Sequence, residues 1–187
     1  MSVVDYSFFY QLGAAAIIGI VIKLLDSYLD DEIPSRMKDP ALKYALLPYG
    51  LILFTIAVTL DISYAVTLFS ASYILGMFFN FNRKLPSGLT GWQESLCILL
   101  INFLKFSFLP IFTSILAIFF IQCVDDLKDM NWDKKLGFHN LANQFGKIEI
   151  ITVSIILFIV LTMYDFRKLV LIILCYFLIE KVYGKIN

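Results

Sequence analysis

The sequence predicts an all-α membrane protein with about seven transmembrane helices, folded as a single domain over residues 1–187. Hydrophobic residues make up 60% of the chain and the mean hydropathy is +0.83, well above the values of soluble domains. Several apolar runs approach or exceed the ~20 residues that a helix needs to cross a bilayer. We therefore expect an integral membrane protein with membrane lipid around it and no nucleic-acid partner.

The first three predicted spans follow from apolar runs separated by short polar segments. The first has no basic segment before it and no small-residue cleavage site after it, so we interpret it as a helix and not as a signal peptide. The second and third are separated only by a tight connection at Asp61. These spans lie at Phe8–Leu25, Ala41–Leu60 and Ile62–Phe79.

The fourth to seventh spans are predicted in the same way. Pro110 stands between the fourth and fifth, where the chain must turn sharply. The fifth span is short, and we expect its helix to continue into the acidic segment that follows it. These spans lie at Trp92–Leu109, Pro110–Val124, Ile148–Tyr164 and Lys168–Tyr183.

The basic residues predict the orientation, since cytoplasmic loops of membrane proteins carry an excess of Lys and Arg. When the loops alternate sides, one side holds only Lys105, Arg167 and Lys168, and the rest of the fifteen Lys and Arg fall on the other. We expect the richer side to be cytoplasmic, in the cell membrane. The amino terminus is then outside and the carboxyl terminus inside.

An acidic segment follows the fifth span and ends at Asp133. At 100° per residue, Asp126, Asp129 and Asp133 fall within roughly 60° of one another on a helix. Carboxylates on one face repel each other unless a cation lies among them, and oxygen ligands favour a hard ion such as Mg²⁺. The alternative is a solvated acidic helix end with no ligand.

A second acidic group ends the first span, with Asp26 and Asp30 one helical turn apart. The predicted topology places both acidic groups on the cytoplasmic side, around a polar opening. Cations that could hold phosphate oxygens lie in the same loops. They are Arg36, Lys38, Arg83, Lys84 and Lys134.

These motifs resemble those of the UbiA superfamily of intramembrane prenyltransferases. Asp126-x-x-Asp129-x-x-x-Asp133, followed by Gly137, is similar to the second Asp-rich motif of that family. Asp26-x-x-x-Asp30 is similar to the last two positions of the first motif, whose Asn is replaced here by Ile22. The resemblance implies a UbiA-like helical bundle that opens to the cytoplasm. Members of the family usually have about nine spans, whereas this chain has room for about seven.

The resemblance also implies an activity, a cofactor and a set of roles. We expect Mg²⁺ held by Asp26, Asp30, Asp126, Asp129 and Asp133 to assist ionisation of an allylic prenyl diphosphate, with the last three as the catalytic residues. The five cations named above would bind the diphosphate. The expected function is transfer of the prenyl group to an aromatic or lipid acceptor. Two alternatives remain open: cyclisation to a terpene without an acceptor, and a non-catalytic scaffold or cation transporter.

Overall fold

The computed structural model describes residues 6–29, 40–77 and 81–183. Within these ranges the secondary structure consists of seven α-helices, and no strand is formed apart from one isolated bridge between Lys84 and Thr90. The predicted all-α class is therefore confirmed. The helices are α1 (Tyr6–Leu29), α2 (Pro40–Leu60), α3 (Ile62–Gly76), α4 (Gly91–Lys105), α5 (Phe108–Leu136), α6 (Leu141–Phe145) and α7 (Lys147–Tyr183).

The described residues fall into two compact units, and two helices are divided between them. Unit 1 is drawn from Met1–Phe69 and Val170–Asn187, and unit 2 is Ser70–Leu169. Unit 1 therefore contains α1, α2, the first part of α3 and the second part of α7. Unit 2 contains the remainder, including the acidic segment of α5.

Small residues allow close packing of helices in unit 1. On α1, residues Ala14, Ala15 and Ile18 are buried, and α1 packs against α2. A Cβ atom at Gly13 would lie 3.1 Å from Cδ1 of Leu60, and one at Gly19 would clash with the Ile179 side chain. Residues without bulky side chains thus let these helices approach each other closely, as membrane helices commonly do.

Asp61 forms the tight connection between α2 and α3 that the sequence predicted. Its carboxylate Oδ1 accepts a hydrogen bond from the backbone N–H of Tyr64, three residues later, at 2.9 Å. An aspartate in this position satisfies one of the backbone donors that the first turn of a helix leaves without a partner. One residue is therefore enough to end α2 and begin α3.

The connection between α4 and α5 is almost as short. Phe106 and Ser107 both have extended backbone conformations, and α5 begins at Phe108. Pro110 lies in the first turn of α5, where its missing N–H costs no hydrogen bond. The chain therefore bends between the fourth and fifth predicted spans, as expected, at Phe106 and Ser107, which precede Pro110 by four and three residues.

Helix α5 contains 29 residues and runs without a break from Phe108 into the acidic segment. At 1.5 Å per residue it is about 43 Å long, more than the ~30 Å of a bilayer's hydrocarbon core. The prediction that the fifth span continues as a helix past Val124 is therefore confirmed.

Helix α7 contains the two last predicted spans, divided at Asp165. This residue has φ −156° and ψ 68°, which lie outside the helical region, while the residues on either side are helical. Its Oδ1 accepts a hydrogen bond from the N–H of Lys168 at 3.0 Å and so caps the second part of the helix. The predicted boundary coincides with this break in the helix, and the division of α7 into two membrane spans stays a prediction. The structure has seven helices in its described residues although the last two predicted spans form one, because it also contains the short helix α6, which the sequence did not predict.

Among the residues that the structure describes, three helical segments are long and apolar enough to cross a membrane: Tyr6–Leu25, Phe108–Lys135 and Lys147–Val182. Two shorter apolar helices, Ala45–Leu60 and Ile62–Gly76, fall below that length. The remaining predicted spans, the cell membrane and the orientation stay predictions.

The distribution of side chains also fits a lipid environment. Leu104 is 88% exposed and Ile148 76% exposed, whereas Asn102, Thr113 and Lys168 are buried. Soluble proteins show the reverse tendency, because water favours polar surfaces and apolar interiors. An apolar exterior around buried polar groups is the arrangement expected when lipid is the solvent.

Candidate functional site

Asp126, Asp129 and Asp133 all lie on α5 and are all partly buried. Their spacing of three and four residues places them along one side of the helix. We refer to these three carboxylates as the acidic face. The helical geometry that the sequence predicted for them is therefore confirmed, and their role as metal ligands stays a prediction.

The chain reverses direction directly after this face. Gly137 has φ 76° and ψ 21°, a left-handed conformation that glycine adopts without strain, and its N–H donates to the carbonyl of Asp133. The N–H of Phe138 donates to the same carbonyl at 3.0 Å. Helix α6 then begins at Leu141, and it packs against α5.

Two donors from this turn reach the carboxylates of the acidic face. The N–H of Leu141 donates to Oδ2 of Asp126 at 2.8 Å, and Nδ2 of Asn140 donates to Oδ2 of Asp133 at 2.7 Å. The same Nδ2 also donates to the backbone carbonyl of Asp126 at 2.8 Å. These bonds hold both side chains in fixed positions on the helix.

An apolar cluster lies under the turn and supports it. Buried Leu141 and Ala142 of α6 pack with Cys123 of α5 and with Ile150 and Leu157 of α7. The acidic end of α5 is therefore packed against neighbouring elements in unit 2. This packing argues against a helix end whose carboxylates are all freely solvated.

Four other predicted site residues lie wholly or partly outside what the structure describes. Asp26 lies in α1, but its side chain, like Asp30, Arg36 and Lys38, lies outside the residues that the structure describes. Their proximity to the acidic face stays a prediction.

Three predicted phosphate-binding cations are described and exposed. Arg83 and Lys84 lie in the loop between α3 and α4, and Lys134 lies in the last turn of α5. Their side chains are thus accessible to a ligand. The structure gives each a position, and binding of a diphosphate by them is untested.

The donor chemistry of the acidic face fits Mg²⁺, because carboxylate oxygens are the ligands that this ion prefers. In the part of the chain that the structure describes, however, no three His, Cys, Asp or Glu side chains are grouped closely enough to hold one metal ion. Carboxylates of α5 alone therefore do not complete a site. Asp26 and Asp30 remain the candidates for additional ligands.

A second polar group, which the sequence did not predict, holds the loop that carries Arg83. The carboxylate of Glu94 accepts hydrogen bonds from the hydroxyl groups of Tyr73 and Ser87. It therefore links the end of α3, the loop and the first turn of α4 within unit 2. The N–H of Gly91 also donates to the carbonyl of Arg83 at 3.2 Å. The one sign of this group in the sequence was an acidic residue, Glu94, near the start of an apolar helix.

A third polar group surrounds Lys168, whose side chain is only 2% exposed. Its ammonium group donates to Oγ1 of Thr113 at 2.7 Å, to Oγ of Ser114 at 3.2 Å and to the carbonyl of Pro110 at 3.1 Å. From its position in the sequence, Lys168 was expected to be a cation at a span end. The structure places it inside unit 2, where it joins α5 to the capped part of α7.

Comparison of the chain with protein-family models, curated proteins and solved structures finds no match. The UbiA resemblance of the two acidic motifs therefore stays a prediction.

Proposed function

We propose that this chain is an integral membrane enzyme that transfers a prenyl group from an allylic prenyl diphosphate to an aromatic or lipid acceptor, with Mg²⁺ as cofactor and the site facing the cytoplasm. The observation that supports the proposal best is the acidic face. It lies on one continuous helix whose apolar part is long enough to enter a membrane. Two of its carboxylates are held by hydrogen bonds from the following turn.

This arrangement suits a substrate with an apolar chain and an anionic head. The prenyl chain would lie beside the apolar part of α5, and the diphosphate would lie near the carboxylates at its end. Mg²⁺, when bound, would stabilise the negative charge that develops on the diphosphate. Exposed Arg83, Lys84 and Lys134 would hold its oxygens by charge-assisted hydrogen bonds.

The bond changes define what the chain has to do. The carbon–oxygen bond of the allylic diphosphate breaks, and its electron pair leaves with the diphosphate. The acceptor supplies an electron pair to the allylic carbon and loses a proton. The residues of the site hold the diphosphate while charge develops, because fixed charges need no reorganisation during the reaction.

The first experiment incubates the detergent-purified protein with geranyl, farnesyl and geranylgeranyl diphosphates and Mg²⁺. An aromatic or lipid acceptor is added in one arm and omitted in the other. We expect acceptor-dependent diphosphate release, followed by mass spectrometry of organic extracts. A cyclic terpene formed without acceptor would identify a cyclase instead.

Asp129→Ala and Glu149→Gln are the matched variants. Asp129 lies on the acidic face, whereas Glu149 is an exposed carboxylate in the first turn of α7. We expect turnover to fall at least about 100-fold in the first, because this variant lacks one of the proposed Mg²⁺ ligands. A loss of that size corresponds to about 3 kcal/mol of transition-state stabilisation. Glu149→Gln should retain turnover. No turnover and no diphosphate binding in the unmodified protein would refute an enzymatic role.

A further inference from the structure

The end of α5 carries a row of exposed side chains that the proposed site does not use. Lys128, Trp132 and Lys135 are all exposed, and Trp132 is 64% exposed. At 100° per residue the three fall within roughly 60° of one another on the helix. We refer to them as the α5 stripe. The stripe consists of an aromatic ring with a cation about one helical turn away on each side.

The α5 stripe lies on a different side of the helix from the acidic face. The same helical geometry places the centre of the stripe roughly 120° around the helix from the centre of the acidic face. The acidic face is directed towards the turn before α6, which donates hydrogen bonds to Asp126 and Asp133. The stripe therefore points away from this packed turn, which agrees with its exposure.

The position of the stripe along α5 matches the surface of a membrane. Residues 108–124, the apolar part of the helix, are about 25 Å long, and Trp132 lies about 36 Å from the start of the helix. The hydrocarbon core of a bilayer is ~30 Å thick, and the headgroups add about 5–7 Å on each side. If α5 enters the core at its first turn, Trp132 therefore reaches the opposite headgroup layer. Lys128 then lies at the edge of the core and Lys135 at the outer side of the headgroups.

The chemistry of the stripe fits that layer. A tryptophan ring prefers the membrane interface, because its apolar body and its N–H group both find partners there. Lysine side chains near the ends of membrane helices extend towards the lipid headgroups. At the surface of an anionic membrane, each basic residue strengthens binding by about fivefold.

We propose that the α5 stripe is a binding surface for anionic phospholipid. Trp132 lies in the headgroup layer, and the ammonium groups of Lys128 and Lys135 contact lipid phosphates. A lipid bound there fixes the depth and the rotation of α5 in the membrane. None of the three residues belongs to the site proposed for the prenyl diphosphate, so the two proposals stand or fall separately.

The first measurement is the depth of Trp132. The chain contains two tryptophans, so Trp92→Phe leaves Trp132 as the only one, and Trp92→Tyr serves if the first variant does not fold. The full chain is reconstituted into phosphatidylcholine vesicles, in which the lipids carry bromine at a shallow or a deep position of the acyl chain. We expect shallow bromines to quench the fluorescence most, and aqueous iodide to quench it weakly. Stronger quenching by deep bromines, or quenching by iodide alone, would overturn the proposal.

The second measurement is the preference for anionic lipid. The vesicles contain equal amounts of phosphatidylcholine and phosphatidylglycerol, and only one of the two is brominated. Brominated phosphatidylglycerol should quench Trp132 more strongly, and Lys135→Gln should lower this preference by about fivefold. Lys135 is the better test of charge, because Asp125, the nearest aspartate of α5 on that side, lies about 15 Å earlier along the helix.

Lys134→Gln is the matched control. Lys134 is exposed and directly precedes Lys135, but it lies roughly 160° from Trp132 around the helix. With no prenyl diphosphate present, its loss removes the same charge at nearly the same depth and should leave the preference unchanged. Equal losses in Lys134→Gln and Lys135→Gln would show that diffuse surface charge acts instead of the stripe. That result, or no preference for phosphatidylglycerol before either change, would overturn the proposal.

Discussion

Nζ of Lys168 lies 3.6 Å from Oδ2 of Asp165, and the lysine side chain is 2% exposed while the aspartate is 25% exposed. Oδ2 also accepts a hydrogen bond from Oγ1 of Thr113 at 3.3 Å. The cation, the anion and the hydroxyl group thus form one cluster, at the point where α7 leaves the helical conformation. A charge buried to this degree is stable only with such partners.

Lys168→Ala should destabilise the protein by about 3 kcal/mol, since it leaves the Asp165 carboxylate without its cation. Unfolding in detergent by denaturant measures the change. Lys105→Ala is the control, because Lys105 is an exposed lysine at the end of α4. It should change the free energy of unfolding by less than about 0.5 kcal/mol.

Substitution of Asp165 tests whether Lys168 stabilises the protein through this ion pair. In an Asp165→Asn background, Lys168→Met should cost less than it does alone, because a smaller charge imbalance remains. Additive losses would mean that the two side chains do not interact energetically, despite their separation of 3.6 Å.

Asp126 should contribute to the stability of α6 independently of any catalysis. Asp126→Ala removes the acceptor of the Leu141 N–H, and we expect a loss of about 1–2 kcal/mol. Asp126→Asn retains an oxygen at that position and should lose less. Amide hydrogen exchange of residues 141–145 measures the effect. Equal protection in both variants and the unmodified protein would contradict it.

Arg83→Ala should weaken binding of the prenyl diphosphate without changing which product forms. The loop should keep its conformation, because the contacts from Tyr73 and Ser87 to Glu94 do not involve the Arg83 side chain. The expected result is a KM raised about tenfold with little change in kcat, as for loss of a charge-assisted contact.

Lys135→Ala is the matched control for Arg83→Ala, because Lys135 is exposed and was not assigned to the site. Its KM should stay within about twofold of the unmodified value, as for a lone surface charge. An unchanged KM in Arg83→Ala would remove this residue from the proposed site.

The sequence predicted the helices well, because apolar runs and single capping residues determine them locally. Asp61 ends one apolar run and begins another, and the same residue caps α3 in the structure. The continuation of α5 past Val124 was also predictable. Residues after Val124 are compatible with a helix, and the chain has no glycine until Gly137.

Long-range contacts were not predictable in the same way. Helix α6 has five residues, too few to show a hydrophobic period, and its position depends on packing against Cys123 and Ile150. Lys168 was assigned to a span end, since a charge count contains no information on burial. Its partners Thr113 and Ser114 lie more than fifty residues earlier.

The acidic face was predictable in part: its helical spacing is local, whereas the contacts that fix its side chains are long-range. Helical spacing was enough to place Asp126, Asp129 and Asp133 on one side of α5. The donors that fix two of them, Asn140 and the Leu141 N–H, come from a turn whose path is set by Gly137 and by packing. That Asp26 and Asp30 belong to the same site stays a prediction from the motifs, since the Asp26 side chain and Asp30 lie outside what the structure describes.

Unit 1 is drawn from two separate stretches of sequence, and this has a consequence for the order in which the chain can fold during synthesis. Unit 2 is one continuous stretch, so its contacts can all form once Leu169 has left the ribosome. The first stretch of unit 1 is made before unit 2, yet α1 finds part of its packing only in residues made after unit 2. Gly19 faces Ile179, and Sγ of Cys175 lies 3.9 Å from the carbonyl of Leu12. The amino-terminal helices must therefore wait, incompletely packed, until nearly the whole described chain has been translated.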